Sequence, residues 1–354
     1  MKKLFWTLLC AVCICLGVMT PAQAGMISLE DEIKMGRQTA QQLEAEYGLV
    51  QDEALQARVD QIGQRLAAVC GRDELTYSFK VLNNPEVNAL ACPGGFVYVF
   101  KGLVDYMPSD TELAGVIGHE VGHVAEKHTV HAIEKQMWTS LALILATKGE
   151  SLDLLSMAQQ VIFAGYSRTD ERGADKQGFY NTVKAGYNPY SMLLTLYKLD
   201  DLAKEQGNTS YGIFASHPDP EARIKRIEKL VKKLDIHPEV SVQEDGTAIV
   251  SEGDWRFNIS QSIGNTKAEY RAYMLAGSLW VVSQRGRINP HYFVVHDHGS
   301  SADLYYDDVQ LLTLYTQDAG AFGSAGAYAA ACTELLQEWA EQANQKETRH
   351  KKHK

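Results

Sequence analysis

The five residues His119-Glu120-Val121-Gly122-His123 constrain this chain more than any other feature. Histidines four apart on an α-helix lie one turn above each other on one face, so their imidazoles converge on one point. The glutamate after the first histidine stands beside that point, where it can take a proton from water. The pattern therefore asks for a buried helix with a metal-binding face. The flanks agree with a helix. Pro108 breaks what precedes, Ser109 or Asp110 can cap a new helix, and Glu112 falls in its first turn. Leu113, Val116, Ile117, Val121 and Val124 supply an apolar stripe. Gly115, Gly118 and Gly122 each cost a helix up to about 1 kcal/mol relative to alanine. Three in one helix imply close approach, by a neighbouring element or by a bound chain. The plainer interpretation of the pattern is a buried helix with two structural histidines.

The first 24 residues read as an export signal. Lys2 and Lys3 precede an apolar run from Leu4 to Val18, and Ala22-Gln23-Ala24 offers a small-x-small cleavage site before Gly25. The run is short for a bilayer span, so cleavage after Ala24 and a periplasmic location are expected. Loss of the two lysines would take the formal net charge from −10 to −12, which argues against nucleic acid as a partner. Cys70, Cys92 and Cys332 remain in the mature chain. Cys70 and Cys92 can pair in an oxidising compartment, and three buried thiols fit the sequence equally well.

The expected fold class is α+β: a mainly helical domain with a short β-sheet over residues 25–235, then a small α+β domain. Residues 28–70 have helical spacing, Tyr77–Leu82 and Phe96–Phe100 read as strands, and helices follow at 131–165, 166–180 and 190–206. A basic helix after Ser216-His217-Pro218 ends near Leu234. Residues 236–254 carry Pro, Gly and acids with little helical pattern and read as a linker. The second domain, residues 255–345, has strands at Trp255–Ile259, Tyr292–His296 and Val309–Tyr315, and helices at Ala268–Ser283 and Tyr328–Gln345. Residues 346–354 form a basic tail, solvated or in weak contact with anionic headgroups.

A catalytic zinc takes three protein ligands and keeps one open position. Thr129 stands where a third histidine six residues after His123 would, Glu126 is too far along the helix axis, and His128 and His131 point elsewhere on a continued helix. Glu171 is the better third ligand. Asp175, four residues on, shares its helical face and can accept the free ring N–H of a ligand histidine. The same run also reads as a charged solvent face.

At this point the chain resembles the M48 zinc metallopeptidases. Five segments carry the likeness: Asn88-Ala89-x-x-x-Pro93-Gly94-Gly95, His119-Glu120-x-x-His123, Glu171-x-x-Ala174-Asp175, Ala185-Gly186-Tyr187-Asn188-Pro189, and Ser216-His217-Pro218 with Arg223. Their order and spacing match across about residues 28–234. The resemblance implies a zincin-like fold with a short sheet above the site, and one zinc ion per chain. It implies water activation with Glu120 as general base, and His217 or Arg223 as donor to the oxyanion. The strand after Gly94-Gly95 is expected to offer its edge to extended substrate. His217 carries a second expectation, that it binds the zinc in a latent state and swings away; alternatively it caps a helix or bonds substrate.

Two readings of function follow. One is an exported zinc endopeptidase acting on unfolded or misassembled envelope proteins, with peripheral contact to membrane or outer-membrane assembly proteins. The other is a chaperone-like assembly factor with gated or secondary proteolysis. His296-Asp297-His298, with His291 nearby, reads as an exposed loop or strand end, or as a second metal site.

Overall fold

Side-chain caps set the first helices. Ser28 Oγ accepts from the Asp31 amide at the start of α1 (Leu29–Tyr47), and Asp52 does the same for Leu55 at α2 (Glu53–Ala67). The computed structural model describes residues 26–147, 154–207, 213, 217 and 220–352. The expected signal, residues 1–24, lies outside the described residues, as do Ser216 and Pro218. Among the described residues no helix is long and apolar enough to cross a membrane.

The protein is α+β. β1 (Ser78–Leu82), β2 (Ala89–Cys92) and β3 (Phe96–Phe100) form a sheet in the order β1-β3-β2. β1 runs parallel to β3, and β2 antiparallel. The sequence reading gave the free edge to the strand after Gly95, but β3 lies at the centre with a partner on each side. Gly94 (φ 72°) and Gly95 (φ 91°) fold the chain back there, so Ala89–Cys92 becomes the outer strand.

Helices α3 (Lys101–Tyr106), α4 (Asp110–Ala125), α5 (His128–Thr147), α6 (Leu154–Ala164), α7 (Arg168–Lys184), α8 (Ser191–Glu205) and α9 (Pro220–Val231) follow. Val59, Ile62 and Leu66 of α2 pack under the sheet against Val116, Ile117 and Val121 of α4. The apolar stripe of α4 packs in this core, and from Glu112 to Val124 the helix is buried on every face.

Residues 236–254, expected as a linker, hold β4 (Glu239–Val242) and β5 (Ala248–Glu252). Both join β6 (Trp255–Ile259) in an antiparallel sheet. Glu239, Ser241 and Val242 are exposed on this outer strand, which is why its pattern reads as polar and irregular. α10 (Ala268–Ser283) precedes a second antiparallel sheet of β7 (Phe293–Asp297), β8 (Ser301–Tyr306) and β9 (Val309–Tyr315). α11 (Ala325–Lys352) closes the chain, so the basic tail continues a helix through Lys352. Trp255, Phe257, Leu275, Leu304 and Trp339 share one core with Phe179, Leu193 and Ile227 of α7, α8 and α9. Cys70, Cys92 and Cys332 are free and buried.

Candidate metal centre

The site begins with how α4 is held. Ser109 Oγ accepts from the Glu112 amide at 3.2 Å, and Glu112 Oε2 accepts from the Ser109 amide at 2.9 Å, a reciprocal cap. The three helix glycines then let other helices come close. A Cβ on Gly122 would lie 2.6 Å from Ala174 O, and one on Gly118 would lie 2.8 Å from Thr182 Cγ2. Gly178 faces back, where a Cβ would lie 2.8 Å from Gly118 O. Gly115 meets Ser191 and Thr195 of α8. Close approach in this helix is therefore by its own neighbours. The α4–α7 contact carries Glu171 to the face that holds His119 and His123.

Among the described residues, His119, His123, Glu171 and His217 form one cluster of metal-ligating groups, with one donor atom of each within 4.8 Å of the others. All four are buried. His119 Nε2 lies 3.0 Å from His123 Nε2 and 3.1 Å from His217 Nδ1. Glu171 Oε1 lies 2.8 Å from His217 Nδ1 and 3.3 Å from His123 Nε2. Asp175 Oδ1 sits 3.0 Å from His119 Nδ1, on the side of the ring away from the cluster. Arg223 donates through Nε and Nη2 to Asp175, and its Nη1 lies 3.1 Å from Glu171 Oε2. The Arg223 nitrogens are thus committed to these two carboxylates and to the His119 ring, 3.2 Å from Nη2.

Glu120 is fully buried, and neither carboxylate oxygen has a hydrogen-bond partner. His217 Nε2 lies 3.5 Å from its Oε1. An unpartnered buried carboxylate beside a ring of donors is expensive unless a cation or substrate completes it.

Electrostatics sorts the groups. Burial pushes His123 well below 6.5, towards the neutral form that ligates metals. Burial alone would raise Glu171, but His217, Arg223 and His119 hold its carboxyl well below the usual range. Asp175 is likewise held down against burial, chiefly by Arg223. For His217 burial works downward, and the Glu171 and Glu120 carboxylates overcome it.

Three imidazoles and one carboxylate are nitrogen and oxygen donors suited to a divalent transition metal. The facing ring nitrogens and the unpartnered Glu120 fit the same ion. His119, His123 and Glu171 are the residues that would hold it, with His217 as a fourth donor.

Sequence reasoning missed two residues. His128 was assigned to another face of a continued helix, yet its Nδ1 lies 3.1 Å from His123 Nδ1. Lys127 adopts φ 56°, α4 ends, and the chain turns so that His128, first in α5, swings back. Tyr166 stacks on His123 with ring centroids 3.8 Å apart, and its hydroxyl reaches Thr129 Oγ1 at 2.8 Å. Nothing in the local pattern marks that tyrosine. His291, His296 and His298 are exposed and belong to no metal-ligating cluster among the described residues.

A helix-borne H-E-x-x-H, a carboxylate from a second helix and an unpartnered glutamate between them define a metal-dependent hydrolase site. The chain belongs to peptidase family M48, whose family model matches residues 53–231. It is 28% identical over 232 residues to the beta-barrel assembly-enhancing protease of Yersinia pestis, covering 62% of this chain and 47% of that protein. It is 27% identical over 223 residues to the mitochondrial metalloendopeptidase OMA1 of Schizosaccharomyces pombe, covering 61% of this chain and 65% of that one. To the metalloprotease YcaL of Escherichia coli K12 it is 33% identical over 161 residues, covering 42% and 60%. The chain thus spans less than half of the first of these relatives.

Proposed function

We propose that this chain is an exported zinc endopeptidase that hydrolyses peptide bonds of unfolded or misassembled envelope proteins. The observation that carries the reading is Glu120: a buried carboxylate with both oxygens unpartnered, between two histidine donors one helical turn apart. His119, His123 and Glu171 would hold the ion, and Asp175 fixes the His119 ring through Nδ1. When bound, zinc supplies Lewis-acid activation of water and of the scissile carbonyl. Glu120 takes the proton from the attacking water and passes it to the leaving amine. Arg223 acts as the charge partner of Glu171 and Asp175.

His217 gives the second reading its support. Four protein donors close the position that catalysis needs open. We assign His217 as a latch that must leave before substrate enters. Residues 25–235 are proposed as the peptidase domain; the smaller domain expected at 255–345 takes in β4 and β5 as well, because they share a sheet with β6. The periplasm, peripheral contact with the membrane or its outer-membrane assembly proteins, and a cleaved signal at 1–24 complete the proposal. Digestion of an unfolded protein such as reduced casein tests it. Cleavage should stop with a zinc chelator and return when zinc is added; cleavage that survives full metal removal would overturn it.

A further inference from the structure

The structure gives the two histidines of the motif different supports on their outer ring nitrogens. His119 has a carboxylate, Asp175 Oδ1, 3.0 Å from Nδ1. His123 has a second imidazole, with His128 Nδ1 3.1 Å from its own Nδ1. We propose that His128 is a positioning residue: its Nδ1 accepts the His123 Nδ1–H and fixes the tautomer that leaves His123 Nε2 open to the metal. This rests on the peptidase reading above, because it takes His123 as a ligand through Nε2.

Three features beyond that distance support it. The His123 Nε2 faces the cluster, 3.0 Å from His119 Nε2 and 3.3 Å from Glu171 Oε1, so its lone pair points at the metal position. A neutral imidazole ligating through Nε2 carries its one proton on Nδ1, and that proton meets His128. His128 must then offer its Nδ1 lone pair and carry its proton on Nε2, the side that faces Asp170 Oδ1 at 3.9 Å. The ring has a built seat. It is 8% exposed, and Gly173 of α7 makes room for it: a Cβ there would lie 3.1 Å from His128 Nε2 and Cε1. Finally, Tyr166 covers the face of His123 at 3.8 Å while His128 meets its edge, rings at 73°. One neighbour sets the plane of the ligand ring, the other its rotation and tautomer.

The test is zinc affinity of the full chain, measured by competition with a chromophoric chelator. His128→Leu keeps bulk and removes the acceptor; His128→Asn keeps an acceptor near the position of Nδ1. The leucine variant should bind zinc about 10- to 100-fold more weakly. The asparagine variant should recover most of that loss, and thermal unfolding of the metal-free proteins should separate folding from ligation. Unchanged affinity in His128→Leu overturns the proposal, and so does an equal loss in both variants, which would mean packing alone. If His128→Leu does not fold, nitrogen-15 tautomer assignment on the unaltered zinc-bound protein decides. His128 protonated on Nε2 supports the proposal, and His128 protonated on Nδ1 overturns it. Failure of the unaltered chain to bind zinc is a separate result, which removes the peptidase reading itself.

Discussion

Each of three residues at the centre has a different expected failure. Glu120→Gln keeps shape and hydrogen-bonding atoms but cannot take a proton at neutral pH. Metal content and folding should stay, and hydrolysis should fall by at least about 100-fold; a smaller drop would remove Glu120 as general base. Glu171→Ala deletes the only carboxylate in the four-donor cluster and leaves Arg223 Nη1 facing a space its partner filled. Its zinc should be lost on dialysis, read by elemental analysis; full retention with unchanged activity would mean another third ligand. His217→Ala is a test of sign. As a latch, its removal should raise cleavage of unfolded substrate or of the protein itself. A fall in turnover with zinc still bound would assign His217 to the oxyanion instead. All three residues were singled out from sequence, two by the spacing of charged and imidazole groups on helices and His217 from the resemblance to the family. His128 was not, because its role depends on a backbone turn at Lys127 that the residue types do not announce.

At the scale of elements, the site depends on how closely α4 and α7 cross. Gly122 faces the backbone of Ala174, which cannot move without moving α7, while Gly118 faces the end of the Thr182 side chain. Gly122→Ala should therefore cost about 1–3 kcal/mol and weaken metal binding together. Gly118→Ala should cost less, since a methyl can turn aside. Denaturant midpoints and zinc content of the two variants check the order; equal or reversed effects would mean that the glycines serve something other than this crossing. The glycines were visible in the sequence as a departure from helix propensity, but their partner was not. Which helix approaches is a question of tertiary contact, and nothing at Ala174 or Gly178 names Gly122 or Gly118 as its partner. The strand edge failed for the same kind of reason. The Gly94-Gly95 turn was legible, yet strand order depends on which neighbour pairs outside.

The whole molecule is tied through the N-terminus of the metal-binding helix. Lys198 of α8 and Glu112 of α4 are fully buried and pair at 2.7 Å. Lys198 Nζ also donates to Tyr106 O and Asn265 Oδ1 and lies 3.3 Å from Thr266 Oγ1, so one ammonium joins α4, α8 and the loop after β6. Burial lowers the Lys198 pKa against the pull of Glu112. Lys198→Met leaves Glu112 buried without its charge partner and should cost about 3–5 kcal/mol in urea unfolding. A variant as stable as the parent would show that the node is not what joins the two regions.

Periodicity and ligand chemistry are local, so sequence alone marked most of the helices, the strands β1, β3, β6, β7 and β9, and residues 119, 120, 123 and 171 as candidates for the site, but not α3, β2 or β8. A helix repeats every 3.6 residues whatever it packs on, and a histidine pair one turn apart states its purpose within five positions. Tertiary structure alone decided what meets what. It set the central place of β3, the strands within 236–254, the free state of Cys70 and Cys92, the return of His128 and the stacking of Tyr166. These are contacts between residues far apart in the chain or across a turn. They are chosen by close packing and by the need to partner buried polar groups, and neither leaves a periodic mark in one sequence.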